Sequence, residues 1–212
     1  MGTSTDDTVT DGVAVPDWRK LEATELTPIL SAALAAFYET GFHGTSVREI
    51  ARRVGVTVPA LYYHHENKEG LLIALLELST SDVLSRAHAA DDDGGDDPVQ
   101  RLSNVVEAIV LRMTLRSGLA AIEGESRYLS PHNRQRYREV RKGVERLVRG
   151  IVEDGAASGV FDVDDPAETT RALLGMCQSI PRWYHAEGTL TPDEVAAKYV
   201  DIALRTVGAT RR

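Results

Sequence analysis

The sequence predicts an all-α protein of about nine helices, arranged as an N-terminal three-helix unit joined to a larger helical domain. Three observations carry this. Apolar residues recur at helical spacing in almost every segment after about residue 20. No stretch alternates apolar and polar residues as a half-buried strand would. Successive helix starts are marked by Ser, Thr, Asp or Asn followed by proline or an acidic residue.

The elements follow in order. Residues 1–22 are rich in Thr, Asp and Gly and read as a disordered tail. Ile29, Ala33, Ala36 and Phe37 make one face of a first helix, with Pro28 at its start and Gly41 as a left-handed stop. Thr45-Ser46 can cap a second helix whose Val47, Ile50, Ala51 and Val54 point one way, Gly55 breaks it, and a third runs from Thr57 to about His64. A fourth starts near Asn67 and is closed by DDDGGDDP, where aspartates repel and paired glycines cannot sustain a helix. Helices at about 98–117 and 119–127 follow, then a long one from Ser130-Pro131 to the region of Gly155 and Gly159. The last two, about 166–184 and 191–207, begin with Asp165-Pro166-Ala167-Glu168 and Thr191-Pro192-Asp193-Glu194, both resembling capping boxes.

The 212 residues carry a formal net charge of −8, which looks hostile to nucleic acid. The distribution reverses that impression. Asp6, Asp7, Asp11 and Asp17 in the tail and Asp91, Asp92, Asp93, Asp96 and Asp97 in one loop carry −9 between them, leaving about +1 for everything else. Cys177 is the only cysteine, so no internal disulfide or thiolate zinc cluster can form, and a core thiol is the expected role. The N-terminus has neither a basic nor an apolar signal region and no apolar run approaches membrane-spanning length, which predicts a cytoplasmic protein without a membrane partner.

The strongest local signal is TSVREIARRVGVTVPALYY. Ile50, Val54, Val56 and Leu61 fall at intervals that pin two short helices together, Ala51 permits close approach and Gly55 occupies the turn. This is the helix-turn-helix pattern, whose second helix enters the DNA major groove. At the front of that helix Thr57, Val58, Pro59 and Ala60 would read bases, the apolar ones against thymine methyls, and Arg48 could grip a guanine edge bidentately. Thr45 and Ser46 could offer hydroxyls and helix N-terminal amides to a phosphate.

The stretch GFHGTSVREIARRVGVTVPALYYHHENKEGLLIALLE closely resembles the N-terminal domain of the tetracycline-repressor (TetR) family of bacterial transcriptional regulators, over about Leu26 to Glu77. The resemblance implies a DNA-binding domain at 23–70 with its motif at about 45–65, and a ligand-binding and dimerisation domain at 71–212. It implies phosphate contacts from Tyr62, Tyr63, His64 and Lys68, with Tyr63 also near a base edge. It implies further a homodimer that reads a palindromic operator in double-stranded DNA, a repressor released by a small-molecule effector. Its final two helices would pair with their counterparts through Met176, Ile180, Trp183, Val195, Tyr199, Ile202 and Ala203. His65 departs from the family, which usually places an apolar side chain there under the fourth helix.

Other chemistry finds little support in the sequence. His64 and His65 diverge by about 100° on a helix, and His65 with Glu69 gives only two of the ligands a metal needs. No GxSxG, GxGxxG, P-loop or HExxH occurs, so neither an enzyme, a cofactor nor a metal site is predicted. On the long helix Arg134, Arg138, Arg141 and Arg149 form a stripe beside an apolar one, either a solvated face or a clamp for an anionic ligand. The ending LLGMCQSIPRWYHAEGTLTPDEVAAKYVDIALRTV resembles TetR-type regulators that respond to fatty acyl- or steroid-derived coenzyme A thioesters, which implies ligand contacts by Trp183 and Tyr184 as well. The competing class is a helical ligand-binding protein or enzyme whose helix-turn-helix does not serve DNA.

Overall fold

Side-chain caps set where the helices begin. The computed structural model describes residues 17–20, 25–114, 119 and 122–209. Within it α1 (Pro28–Gly44), α2 (Val47–Val54), α3 (Val58–His64) and α4 (Lys68–Asp93) are capped by Thr27, Ser46, Thr57 and Asn67, each accepting the N–H three residues on. After α5 (Pro98–Thr114) and a 3-10 segment (Ile122–Tyr128), Ser130 caps α6 (Pro131–Ala157). Asp165 caps α7 (Pro166–Ser179), a 3-10 turn (Ile180–Arg182) extends it, and α8 (Pro192–Thr206) closes the described chain. Among the described residues the secondary structure is entirely helical.

The glycine punctuation holds at two decisive points. Gly41 takes φ +71 and breaks α1 one turn before its end, and Gly55 takes φ +78 to turn the chain between α2 and α3. Thr191 and Glu194 form the reciprocal capping box. At α7 the box is incomplete, because Asp165 accepts from Ala167 and Glu168 N–H groups while the Glu168 carboxylate pairs with Arg171 instead.

Four expectations need correction. The fourth helix runs through Asp91, Asp92 and Asp93 rather than stopping before them, since Arg101 grips Asp91 at 2.7 Å and Arg19 reaches Asp93 at 3.2 Å, offsetting the repulsion. Of the helix expected at 119–127, residue 119 is α-helical and 122–127 fall in a 3-10 segment that runs on to 128, and the end of the one expected at 98–117 lies outside the described residues. The helix expected to reach 184 gives way after Ser179, at Ile180-Pro181. The tail expected at 1–22 lies largely outside the described residues, but its residues 17–20 are docked rather than loose. Trp18 is buried in the core of the larger domain, Arg19 pairs with Asp93 and Glu107, and Arg86 donates to the Lys20 carbonyl at 2.6 Å.

Two apolar cores result, and α4 belongs to both. The first joins Ala33, Phe37, Ile50 and Leu61 to Leu71–Leu76 on α4 and to Leu119, Ile122 and Tyr137 beyond it. The second gathers Val83–Ala90 of α4 with α5, α6, α7 and α8, and α5 lies at its centre. Cys177 sits within this second core, where burial pushes its thiol up to about 12, as a structural cysteine would be.

Candidate functional site

The helix-turn-helix is assembled by burying Ile50, Ala51 and Leu61, which leaves a defined set of side chains outside. Pro59, Ala60, Tyr62, Tyr63 and His64 on α3 and Arg48 on α2 are exposed, Tyr63 at 87%, and Val58 is half-buried. Arg48 makes no hydrogen bond or ion pair among the described residues. Its neighbours differ: Glu49 holds Arg52 and Arg53 while Glu39 grips Arg53 from α1, and these guanidiniums draw the Glu49 carboxyl down to about 2. Of the basic side chains on α2, Arg48 alone has no carboxylate partner among the described residues. The Ser46 and Thr57 oxygens accept their own capping bonds, which leaves each hydroxyl proton free to donate outward.

Two expected outward contacts point inward. Breaking α1 at Gly41 leaves carbonyls to be satisfied, and the buried Thr45 hydroxyl lies 3.0 Å from Ala36 O, 2.8 Å from Gly41 O and 2.9 Å from Thr40 Oγ1. The Lys68 ammonium donates to Phe42 O at 2.6 Å and Thr45 O at 2.9 Å and lies 4.5 Å from the Phe42 ring centroid. Burial holds it below the ordinary lysine range. Both residues therefore clamp the α1–α2 junction, and only the third Lys68 N–H is left to point elsewhere.

His65 ends α3 in extended conformation, half-buried, with its Cβ facing Gly70 on the first turn of α4. Burial first and the neighbouring His64 second hold its imidazole below the ordinary histidine range, so it packs in its neutral form.

A cavity of about 430 Å³ opens where the two cores meet. Leu76, Leu119 and Tyr137 from one core and Val83, Ile109 and Leu174 from the other line it, and Arg138, Arg141, Lys142 and Arg171 stand at its mouth with Glu123 and Glu145. Arg141 spans the opening, donating to Gln178 Oε1 at 3.1 Å on α7 and lying 3.8 Å from Glu123 on the 3-10 segment. A shallower recess adjoins it, sharing Tyr137, Arg138 and Arg141 and adding Arg127, Arg134 and Ser126. Three of the four stripe arginines thus converge. Arg149 does not: it lies away from the cavity and pairs with Glu153 at 2.7 Å.

The wall of this cavity is joined to the helix-turn-helix by two carboxylates that sequence reasoning missed. Glu125 accepts the Phe42 N–H at 2.9 Å, and Glu69 accepts from Ser130 N and Asn133 Nδ2, each at 2.7 Å. Burial alone would raise the Glu69 carboxyl, but the Ser130 and Asn133 bonds outweigh it and hold it below its ordinary value. Tyr128 adds a ring stacked on Phe42 at 5.9 Å and edge-on to His43 at 4.3 Å. Only the aromatic character of GFH was a sequence signal for this joint.

The C-terminal assignments divide. Tyr184 is buried in the second core and Trp183 is 42% exposed, and neither lines the cavity. Ile180, Val195 and Ala203, expected at a dimer interface, are buried within the protomer because they face α5 and the core. Trp183 stacks on the half-buried Tyr199 at 6.3 Å, Ile202 is 42% exposed, and Met176 is half-buried, so these four still face outward together or in part.

Comparison with known proteins covers both parts of the chain. A family model described as bacterial regulatory proteins, tetR family, matches residues 29–75, and one described as tetracyclin repressor-like, C-terminal domain, matches residues 95–207. The HTH-type transcriptional repressor KstR2 of Rhodococcus jostii RHA1 is 28% identical over 180 residues, 84% of this chain and 88% of that protein. The probable HTH-type transcriptional regulator ArpR of Pseudomonas putida is 30% identical over 203 residues, 87% and 92% respectively. Among solved structures, a tetR-family regulatory protein from Rhodococcus RHA1 matches with TM-score 0.80 at 30% identity, covering 87% of this chain and 97% of that one. AibR, solved with isovaleryl coenzyme A and operator DNA, matches with TM-score 0.74 at 26% identity, covering 82% and 95%. Matched at both its helix-turn-helix and its larger helical domain, the chain belongs to the TetR family of DNA-binding bacterial transcriptional regulators.

Proposed function

We infer that the protein is a homodimeric repressor that binds a palindromic operator and leaves it when a coenzyme A thioester of a carboxylic acid fills the cavity. The observation that carries this reading is the placement of that cavity. It sits on the seam between the two cores, its mouth is lined with Arg138, Arg141, Lys142 and Arg171, and its wall is bonded to the DNA-binding domain through Glu69 and Glu125. An acyl group suits the apolar interior, and the phosphates suit the arginines of the mouth and the adjoining recess. The relatives support the same ligand class, AibR by its isovaleryl coenzyme A.

On DNA, the exposed Tyr62, Tyr63 and His64 and the third Lys68 N–H meet phosphates, as do the Val47 and Arg48 N–H groups at the start of α2 and the Val58 N–H at the start of α3. Arg48 reads a base edge, and Val58, Pro59 and Ala60 lie against thymine methyls. Trp183, Tyr199, Ile202 and Met176 supply the apolar centre of the interface between protomers. Two-fold symmetry then places the two recognition helices in successive major grooves.

Release follows from linkage, because a ligand shifts the protein only by binding one arrangement better than another. A thioester phosphate drawing Arg141 off Glu123 and Gln178 would free the 3-10 segment and the top of α4 to move together, and with them the α1–α2 junction. Selection of bound sequences from random DNA, with and without a panel of acyl-coenzyme A thioesters, tests the reading. A palindrome enriched without thioester and depleted with at least one of them is the expected result. Enrichment of no palindrome would sink the DNA role and promote a ligand-binding or enzymatic one, and an operator indifferent to every thioester would sink the effector class.

A further inference from the structure

The interior of the cavity is not uniformly apolar. Ser79, Thr80 and Tyr137 bring three hydroxyls to one side of it, between α4 and α6. Tyr137 is 5% exposed, and the Thr80 hydroxyl lies beside its phenol. The Thr80 proton is already committed to Leu76 O at 2.9 Å, which leaves the Thr80 oxygen as an acceptor, while the Tyr137 phenol can both donate and accept. The Glu123 and Glu145 carboxylates on the same lining add acceptors, while the charged donors Arg138, Arg141, Lys142 and Arg171 stand at its mouth. Burial foremost, with Glu123 second, pushes the Tyr137 phenol up to about 12, so it remains a neutral hydroxyl. Ser79 makes no hydrogen bond among the described residues.

A saturated acyl chain would strip water from these groups and return nothing, whereas a ligand group that both accepts from the phenol and donates to the Thr80 oxygen would satisfy them. An alkyl chain carries neither donor nor acceptor, and a thioester carbonyl only an acceptor. A hydroxyl carries both.

We propose that the effector's acyl part bears a hydroxyl group, held by the Tyr137–Thr80 pair with Ser79 beside it. This rests on the coenzyme A thioester reading of the cavity and names the acyl class that reading leaves open. It makes Thr80 and Tyr137 specificity-determining residues for the ligand, distinct from the arginines that hold its phosphates.

The test is titration calorimetry of the full-length protein with octanoyl-coenzyme A and with its monohydroxylated counterparts, the hydroxyl placed at successive carbons. At least one hydroxylated thioester should bind about tenfold or more tightly than octanoyl-coenzyme A. Thr80→Val should erase that preference, so that the variant binds octanoyl-coenzyme A and its hydroxylated counterparts equally, and Tyr137→Phe provides the same comparison should the first variant fold poorly. Octanoyl-coenzyme A binding as tightly as every hydroxylated form would overturn the hydroxyl assignment alone. Binding of no thioester at all would overturn the effector reading beneath it as well.

Discussion

The Lys68 ammonium donates to the Phe42 and Thr45 carbonyls because Gly41 unwinds α1 just before its last residues, leaving those oxygens without helical partners. Replacing it by methionine orphans both carbonyls and should cost about 1–3 kcal/mol, seen as a lower urea midpoint with unchanged slope. Loss of a phosphate contact would in addition reduce the salt dependence of operator binding by about one unit of slope. His65 gives a pH prediction. Its folded-state pKa lies below the ordinary 6.5, so the unfolded chain binds more protons than the folded one as pH falls through and below that value. Stability should therefore be fully present above about pH 6.5 and decline on acidification, and His65→Phe should flatten the decline. An unchanged pH profile in that variant would refute the assignment. At this scale the sequence marked Thr45, Lys68 and His65 as special but misjudged direction for the first two. Facing depends on where the α1 carbonyls fall, and that follows from one glycine's dihedral angles in three dimensions.

The 3-10 segment Ile122–Tyr128 is the least legible element and the one best placed to carry a signal. Its Glu123 lies on the cavity, its Glu125 holds the Phe42 N–H, and its Tyr128 packs on Phe42 and His43. Periodicity reads such a stretch as an ordinary short helix, because six or seven residues cannot distinguish three from 3.6 per turn. Glu125→Ala should leave thioester binding intact while reducing the effect of thioester on operator affinity, measured by anisotropy of labelled operator over a matrix of ligand concentrations. Equal coupling in variant and parent would remove the segment from the relay. The long, well-capped helices were read correctly in kind and place, since caps such as Thr191 with Glu194 act locally. Two C-termini were not: α4 runs into its aspartates, where Arg101 and Arg19 arrive from elsewhere, and α7 stops at Ser179 rather than 184.

For the whole molecule, two cores sharing α4 were implicit in its long apolar run, but the cavity between them was not, because an empty space has no residue pattern. The same holds for the outward face of the last helices. Helical spacing selected Val195 and Ala203 with Tyr199 and Ile202, and only the position of α5 decides which pair is covered. Ile202→Asp at the exposed face should convert a sedimenting dimer to monomer, whereas an unchanged mass would place the interface elsewhere. Trp18 is a second whole-molecule feature. Trp18→Ala should destabilise by about 3–5 kcal/mol, while Arg19→Ala, which removes half-exposed ion pairs and the guanidinium lying 3.7 Å over the Trp18 ring, should cost no more than about 1–2 kcal/mol. Equal losses would mean that the segment is held by charge instead of by the buried ring.

Because Trp18 is seated in the larger domain before the chain enters α1, and α4 returns the chain to that same domain, the DNA-reading part stays fastened at two points once the Glu125, Glu69 and Tyr128 contacts let go. A body held at one point pivots like a ball in a socket. One held at two can swing only about the line between them, as a door does. The paired recognition helices of a dimer would then open and close along a single arc, and the spacing they present to DNA would become the one coordinate the ligand has to change.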